Sequence, residues 1–473
     1  MCKGETLKKH AVLFAILIGA FSLVLTNSAF NILLPNITQI YGVTTTSGSW
    51  IITLYLLAMT VTMPLTGFIV DRLGRKNAYL CGLSLYGFFS LIGVLFYQSF
   101  FILLLVRFMH GVAGGLMIPL SLVLLFHFYG KEVRGKVTGV WGLLLTIAPA
   151  VGPTVGGIII QYGDFKYLFW INVPFALLAL FLCWKQIQPD RPVNKKRLHT
   201  QSVALMMFGV GGLGLGVQLM SNPTFPLWAK SAVMFGSILA LIAFIQKEKV
   251  QEEPLIRIGL LKNPVYAVSI ILSAVQASVM FGVIFVFPLL LQDVFHLSPS
   301  VTGALFLPTA VCTSLFIWIG GSLIDSGTSL HFIAVGIGLI GFSVLLLALV
   351  SKEVSLLVLV ALMAVRGIGI GLSNMTVTTV GLSTLNDSDL HEGSALANTI
   401  KRLASSVTVM ILTVYYDLRW QAVHQLGGNT DQAKWLALKE ECILLGCVML
   451  AMMPLALFLN KTKVDVGVID DSK

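Results

Sequence analysis

Charge is scarce in this sequence. Only 11% of its 473 residues are Asp, Glu, Lys or Arg, against about 25% in a typical soluble domain. Hydrophobic residues make up 56%, with a mean hydropathy of +0.90. A water-soluble body is thereby excluded for nearly all of the chain. Cysteine is also scarce. Cys2, Cys81, Cys183, Cys312, Cys442 and Cys447 lie mostly in apolar runs without metal-ligand spacing, so they read as small buried apolar residues and not as a disulfide framework or a metal site. There is no H-E-x-x-H, no carboxylate-rich face and no nucleophile with a plausible base. The Gly-rich run after Arg366 lies inside an apolar helix pattern, whereas a phosphate loop follows a strand, so nucleotide binding is rejected. An enzyme is not expected. Neither is a cofactor, and any work has to be drawn from a gradient.

Long apolar runs are abundant. Fourteen stretches of about 20 residues, each enough to cross a ~30 Å hydrocarbon core, lie near 11–34, 48–70, 78–97, 100–127, 137–160, 167–187, 202–220, 227–246, 265–292, 301–323, 331–350, 355–383, 395–416 and 440–460. The first is too long for a signal peptide and no A-x-A site follows it, so it reads as a retained span. The longest polar connections are 185–200, 247–264 and 417–441. With the N-terminus inside, twenty-three of the 31 Lys and Arg fall in inner segments and six in outer ones. This imbalance predicts a multi-pass protein with both termini cytoplasmic. It also accounts for the net charge of +10 without a nucleic-acid partner. The short termini and the lack of organelle signals point to a bacterial cytoplasmic membrane.

The chain repeats itself. "GFIVDRLGRK" puts Asp71 at the inner end of the second span, and "GSLIDSGTSL" puts Asp325 at the inner end of the tenth, 254 residues later. "VRFMHGVAGGL" puts Arg107 in the fourth span, and "VRGIGIGL" puts Arg366 in the twelfth, 259 residues later. Two pairs at nearly one offset predict a duplicated six-helix half with a two-helix insert: residues 1–187, 188–264 and 265–473. The fold class expected is all-α and membrane-embedded. Parallel repeats of this kind typify alternating-access transporters with the site near the midplane.

Two ionisable side chains deep in the fourth span, Arg107 and His110, lie i, i+3 on one helix face. Intramembrane charge is expensive and marks function by default. The pair either faces a cavity or hydrogen-bonds neighbouring helices. No carboxylate partner for Arg107 is visible in the sequence. Asn27 and Asn31, one turn apart in the first span, are the expected polar neighbours.

Taken together, these motifs resemble the major facilitator superfamily, specifically its fourteen-span drug:proton antiporters. "GFIVDRLGRK" matches the superfamily's loop motif G-x-L-x-D-R-x-G-R-K, with Ile69 for Leu. "RFMHG" resembles R-x-x-Q-G, with His110 for Gln. "APAVGPTVGG" (148–157) resembles the antiporter motif G-x-x-x-G-P-x-x-G-G, with Ala148 for the first Gly. "FWINVP" (169–174), "FPLLLQDVFHLSPSVTGALFLP" (287–308) and "GSALANTIKRLASS" (393–406) are similar to the group's patterns in their spans.

The resemblance implies a rocker-switch exporter of drug-like amphiphiles in exchange for protons, a monomer in the bilayer. It implies a cytoplasmic latch at Gly67, Asp71, Arg72, Gly74, Arg75 and Lys76. It implies an outer seal at Gly152, Pro153, Gly156 and Gly157, and a substrate and proton pathway through Asn27, Asn31, Arg107, His110, Asp293 and Arg366. One departure matters: the acid the group often carries in the first span is replaced by Thr26. Asp293 is then the best alternative proton carrier, and neutral or anionic amphiphiles are expected to suit the two arginines better than cations. The rival readings are a dedicated exporter of one metabolite or peptide, and a transport-inactive membrane sensor.

Overall fold

The structure, a computed structural model, describes residues 3–129, 134–188, 199–220, 225–251, 254–325, 331–351, 354–386, 389–426 and 429–460. Many of the bases counted on the inner side (Lys131, Arg191, Lys195, Lys196, Arg197, Lys461, Lys463 and Lys473), together with Glu132, lie outside the described residues. So does the side chain of Asp325.

Sixteen α-helices run through the described residues: α1 (Lys3–Ile32), α2 (Leu34–Tyr41), α3 (Thr45–Leu95), α4 (Phe100–Tyr129), α5 (Arg134–Tyr162), α6 (Lys166–Gln186), α7 (Thr200–Met220), α8 (Leu227–Val250), α9 (Pro264–Pro288), α10 (Pro299–Ala304), α11 (Leu307–Asp325), α12 (His331–Leu347), α13 (Leu356–Ser383), α14 (Leu390–Gln425), α15 (Thr430–Ala451) and α16 (Met453–Asn460). A π-helical turn, Leu289–Val294, extends α9. All fourteen predicted spans fall on helix. In a bilayer the helix is the only open-chain form that satisfies its own backbone, which is why hydropathy alone finds the elements. Ten helical stretches are long and apolar enough to cross a membrane, and two shorter apolar ones, Ile147–Tyr162 and His331–Leu347, stand beside them. The chain is a multi-pass membrane protein.

Local chemistry sets the helix ends. Thr44, Asn263, Ser355 and Asn429 each cap a helix by accepting a hydrogen bond from a backbone N–H in its first turn. Gly42, with φ +61°, closes α2 in the left-handed conformation. α3 contains the second and third predicted spans. It breaks at Gly74, whose φ +79° and ψ 158° lie in a region essentially restricted to glycine.

Contacts divide the chain into two compact units. The first comprises Met1–Lys247, Gln251–Leu255 and Leu297–Ala304; the second comprises Glu248–Val250, Ile256–His296 and Leu305–Lys473. The inserted helices α7 and α8 fall almost wholly in the first. So does α10, although its chain neighbours on both sides belong to the second.

The polar connection expected at 417–441 is largely helix. α14 runs on to Gln425 and α15 starts at Thr430. Residues 430–441 carry Asp431, Lys434, Lys439 and two adjacent glutamates, which pulls the average hydropathy down. The buried residues Ala433, Ala437, Leu438, Glu441, Cys442, Leu445, Gly446 and Met449 nevertheless recur every three or four positions, as one face of a helix does.

Candidate functional site

In the first unit Arg107 is completely enclosed, with 0% exposure. Its Nη2 donates to Asn27 Oδ1 at 2.6 Å and its Nε to the Ile51 carbonyl at 2.8 Å. The guanidinium carbon lies 4.7 Å from the ring centres of both Phe30 and Tyr55. A planar, weakly hydrated cation can be held this way by aromatic faces and neutral acceptors. The expected neighbour Asn27 is therefore a direct partner. Asn31, also buried, keeps its Oδ1 without a hydrogen bond among the described residues.

His110, 1% exposed, shares a 3.0 Å hydrogen bond between Nε2 and Ser90 Oγ. Its ring sits 4.9 Å from that of Tyr86 and 6.0 Å from that of Phe169. Thr26, at the place of the missing acid, donates to Asn172 Oδ1 at 2.5 Å. Ser22 donates to the same oxygen at 3.3 Å and bonds the Tyr86 hydroxyl at 3.0 Å. Asn172 belongs to "FWINVP", so that motif is tied to the first span by a neutral hydroxyl network.

At the kink in α3, Asp71 and Arg75 are half-buried and Arg72 is exposed. Arg72 stacks over Phe68, and Lys76 Nζ donates to the Trp184 carbonyl at 2.7 Å. Gly67 has open space where a Cβ would stand. Gly74, by contrast, is demanded by its backbone angles.

The α5 motif is a contact surface. A Cβ added at Gly152 would lie 2.7 Å from the Leu25 carbonyl, and one at Gly156 would lie 2.8 Å from that of Ala29, both on α1. Pro153 has no N–H, which leaves the Pro149 carbonyl without its helical donor. Ser28 supplies one, at 2.6 Å. On another side Gly157 meets α10. A Cβ there would stand 2.3 Å from the Pro299 carbonyl, and a Cβ on Gly303 would stand 2.4 Å from the Pro153 carbonyl. Thr154 Oγ1 donates to the Gly303 carbonyl at 3.1 Å. Two glycines thus bring two helix backbones together reciprocally.

In the second unit Arg366 is 2% exposed. One guanidinium nitrogen donates to the Met280 carbonyl at 3.3 Å, while Nε has no hydrogen-bond partner among the described residues. It lines a small cavity with Gln276, Met280, Ile340, Ile370 and Asn374. Gln276 donates to Ser373 Oγ at 2.8 Å and leaves its Oε1 unbonded. The cavity has room for roughly one water.

Asp293, at the end of the π turn, has a side chain 14% exposed and lies 4.0 Å from Lys434 Nζ. Sequence reasoning passed over Glu441. It is 1% exposed, and neither carboxyl oxygen has a hydrogen bond among the described residues. The helical recurrence through 433–449 was the available signal. Among the described residues no group of three or more His, Cys, Asp or Glu is arranged to hold a metal.

Comparison with known proteins agrees with this architecture. The chain is 24% identical over 471 residues to the lincomycin resistance protein LmrB of Listeria monocytogenes, covering 97% of this chain and 98% of that one. It is 27% identical to the multidrug export protein EmrB of Haemophilus influenzae over 87% of this chain and 81% of the relative. It is 25% identical to the multidrug transporter protein MdtP of Bacillus subtilis over 80% and 70%. Among solved structures, a POT family transporter superposes with a TM-score of 0.70 at 14% identity over 95% of both chains. A bacterial homologue of the human lysosomal transporter Spinster superposes with 0.69 at 12% over 97% and 98%. A D-xylose–proton symporter gives 0.62 at 15% over 96% of both. At these identities the superpositions speak for the fold alone. The Major Facilitator Superfamily model matches residues 16–409, and with it the paired intramembrane arginines, the kinked loop glycine and the glycine-lined fifth span fall into one scheme: this chain is a member of the major facilitator superfamily of membrane transporters.

Proposed function

We propose that this transporter exports drug-like amphiphilic compounds in exchange for protons by alternating access, as a monomer in the cytoplasmic membrane with both termini inside. The observation that carries the reading is the Arg366 cavity. A buried guanidinium N–H and the Gln276 carbonyl oxygen stand unbonded beside the apolar side chains of Met280, Ile340 and Ile370. A pocket with one fixed cation and otherwise forgiving walls suits amphiphiles of varied shape. In the conformation described, the cavity is far below the roughly 300–1,000 Å³ of a drug site, so Arg366 and Gln276 act as a polar anchor in a space that widens during the cycle. The names of the full-length relatives support the same substrate class.

Arg107 plays a different part in this reading. Its donors to Asn27 and Ile51 and both its faces are engaged, so it locks the first, second and fourth spans together. His110 holds Ser90 in the same helical core. Substrate selectivity then rests on Arg366, which favours neutral and anionic amphiphiles over dications. Everted membrane vesicles carrying the protein test this with labelled neutral, anionic and dicationic compounds. Uptake on energisation is expected for the first two, abolished by dissipating the pH gradient and strongly reduced by Arg366→Ala. Preferential uptake of dications, or uptake indifferent to the gradient, would contradict it.

A further inference from the structure

With no acid in the first span, proton exchange needs a proton-binding group elsewhere. In the second unit the π turn, the end of α14 and the middle of α15 bring four ionisable groups together: Asp293, Tyr416, Asp417 and Glu441. Asp417 and Glu440 are the charged neighbours of Glu441, and Asp293, Asp417 and Glu441 all act electrostatically on Tyr416. Of the four, Glu441 is the one both fully buried and unbonded at each oxygen among the described residues, and the Tyr416 hydroxyl, 1% exposed, likewise has no hydrogen-bond partner there.

Among the described residues no cation or donor is bonded to the Glu441 carboxyl to offset the desolvation of a charge there, and a buried carboxylate without such partners is costly. The other carboxylates nearby are differently placed. Glu440 is held by Arg419 through two 2.8 Å hydrogen bonds, and Asp293 faces Lys434. His296 pairs with Asp431 at 3.0 Å. α9, α12 and α16, which also pack on α15, carry only Tyr266 and His331 as titratable side chains, each at the far end of its helix.

We infer that Glu441, with Tyr416 and Asp417 beside it, is a proton-binding site of the second unit and the carrier that stands in for the missing first-span acid. The inference rests on the antiport reading and on the orientation proposed with it. With both termini inside, this end of α15 is the outer one. Glu441 lies about 16 Å along the helix from Thr430, at 1.5 Å per residue. Protons therefore reach it from the outside, the source that drives an exporter. In the step itself the Glu441 O–H bond breaks, the proton passes to water, and the electron pair stays on the carboxylate oxygen. The Tyr416 hydroxyl, on which Glu441 acts electrostatically, has no hydrogen-bond partner among the described residues and is a donor free to bond that carboxylate.

Infrared difference spectroscopy on the purified full-length protein tests the site without any substrate. A protonated-carboxyl C=O band that shifts in D2O is expected at neutral pH. It should be lost in Glu441→Gln and kept in Glu440→Gln, whose carboxylate is already ion-paired. A wild-type spectrum without such a band, or a band unchanged in Glu441→Gln, would overturn the proposal. If the Gln variant does not fold, Glu441→Asp retains a carboxyl, and its band should be displaced relative to the wild type. An unmoved band would overturn the proposal.

Proteoliposomes separate this inference from the function it rests on, with labelled chloramphenicol, a neutral amphiphile, as the probe. Loss of ΔpH-driven movement in Glu441→Gln, with exchange of labelled for unlabelled chloramphenicol retained, supports Glu441 as the carrier. Gradient-driven movement that survives in Glu441→Gln overturns it and leaves antiport standing. Wild-type exchange that ignores the gradient overturns antiport, and the infrared band then decides alone whether Glu441 holds a proton.

Discussion

Arg107 shows how a membrane core can hold a cation without an anion. Its hydrogen bonds go to an amide oxygen and a backbone carbonyl, and two aromatic faces cover it. The arrangement depends on a planar, forked head. Lysine has no such fork, and its ammonium is more strongly hydrated. Arg107→Lys is therefore expected to lose most of what Arg107→Ala loses, about 1.5–3 kcal/mol, read as a fall in the thermal midpoint of the purified protein. A lysine variant as stable as the wild type would contradict the clamp. Asn27 was legible in the sequence as a neighbour, because it lies one turn from Asn31 in an otherwise apolar span. The aromatic covers were not legible: phenylalanine and tyrosine are common in such helices, and only packing chooses Phe30 and Tyr55. Glu441 was hidden for another reason. Window averages blur a buried face when the exposed face of the same helix is charged.

At the scale of the element, proline and glycine carry meaning in pairs with partners elsewhere. Pro119 in α4 frees the Gly115 carbonyl, and Thr66 donates to it at 3.0 Å. Pro153 in α5 frees the Pro149 carbonyl for Ser28. Each hydroxyl repairs a helix that it does not belong to, and so fixes how two helices register. The motif in α5 was readable as close packing, but its second partner was not. α10 comes from a segment some 150 residues away, and no pattern in "GPTVGG" names it. The reciprocal approach of Gly157 and Gly303 gives a test. Thr302, on α10, is fully buried. In a background cleared of native cysteines, Thr302→Cys should label slowly with a membrane-impermeant maleimide, and adding Gly157→Ala should speed labelling by about tenfold or more, the equivalent of 1.4 kcal/mol in the opening equilibrium. Equal rates in the two backgrounds would show that α10 does not depend on that contact. Gly74 belongs to the same scale. Its place in the loop motif follows from a backbone angle that other residues adopt only at a cost of about 1–3 kcal/mol.

For the whole molecule, the stretches that hydropathy marked fall on helix, because lipid leaves the backbone no alternative. The offset between Asp71 and Asp325, and between Arg107 and Arg366, is the ground for expecting a duplicated half. The grouping of the inserted helices and of α10 with the first unit was beyond reach, since it depends on which apolar faces meet, and such faces look alike in sequence. The account rests centrally on coupling: a chain of this fold without a first-span acid still exchanges substrate for protons. Proton flux into proteoliposomes of the purified protein under an imposed pH gradient measures this most directly, with neutral, anionic and cationic amphiphiles added in turn. The account predicts proton movement triggered by neutral and anionic compounds. Labelled compounds that cross the membrane while no proton moves would contradict it.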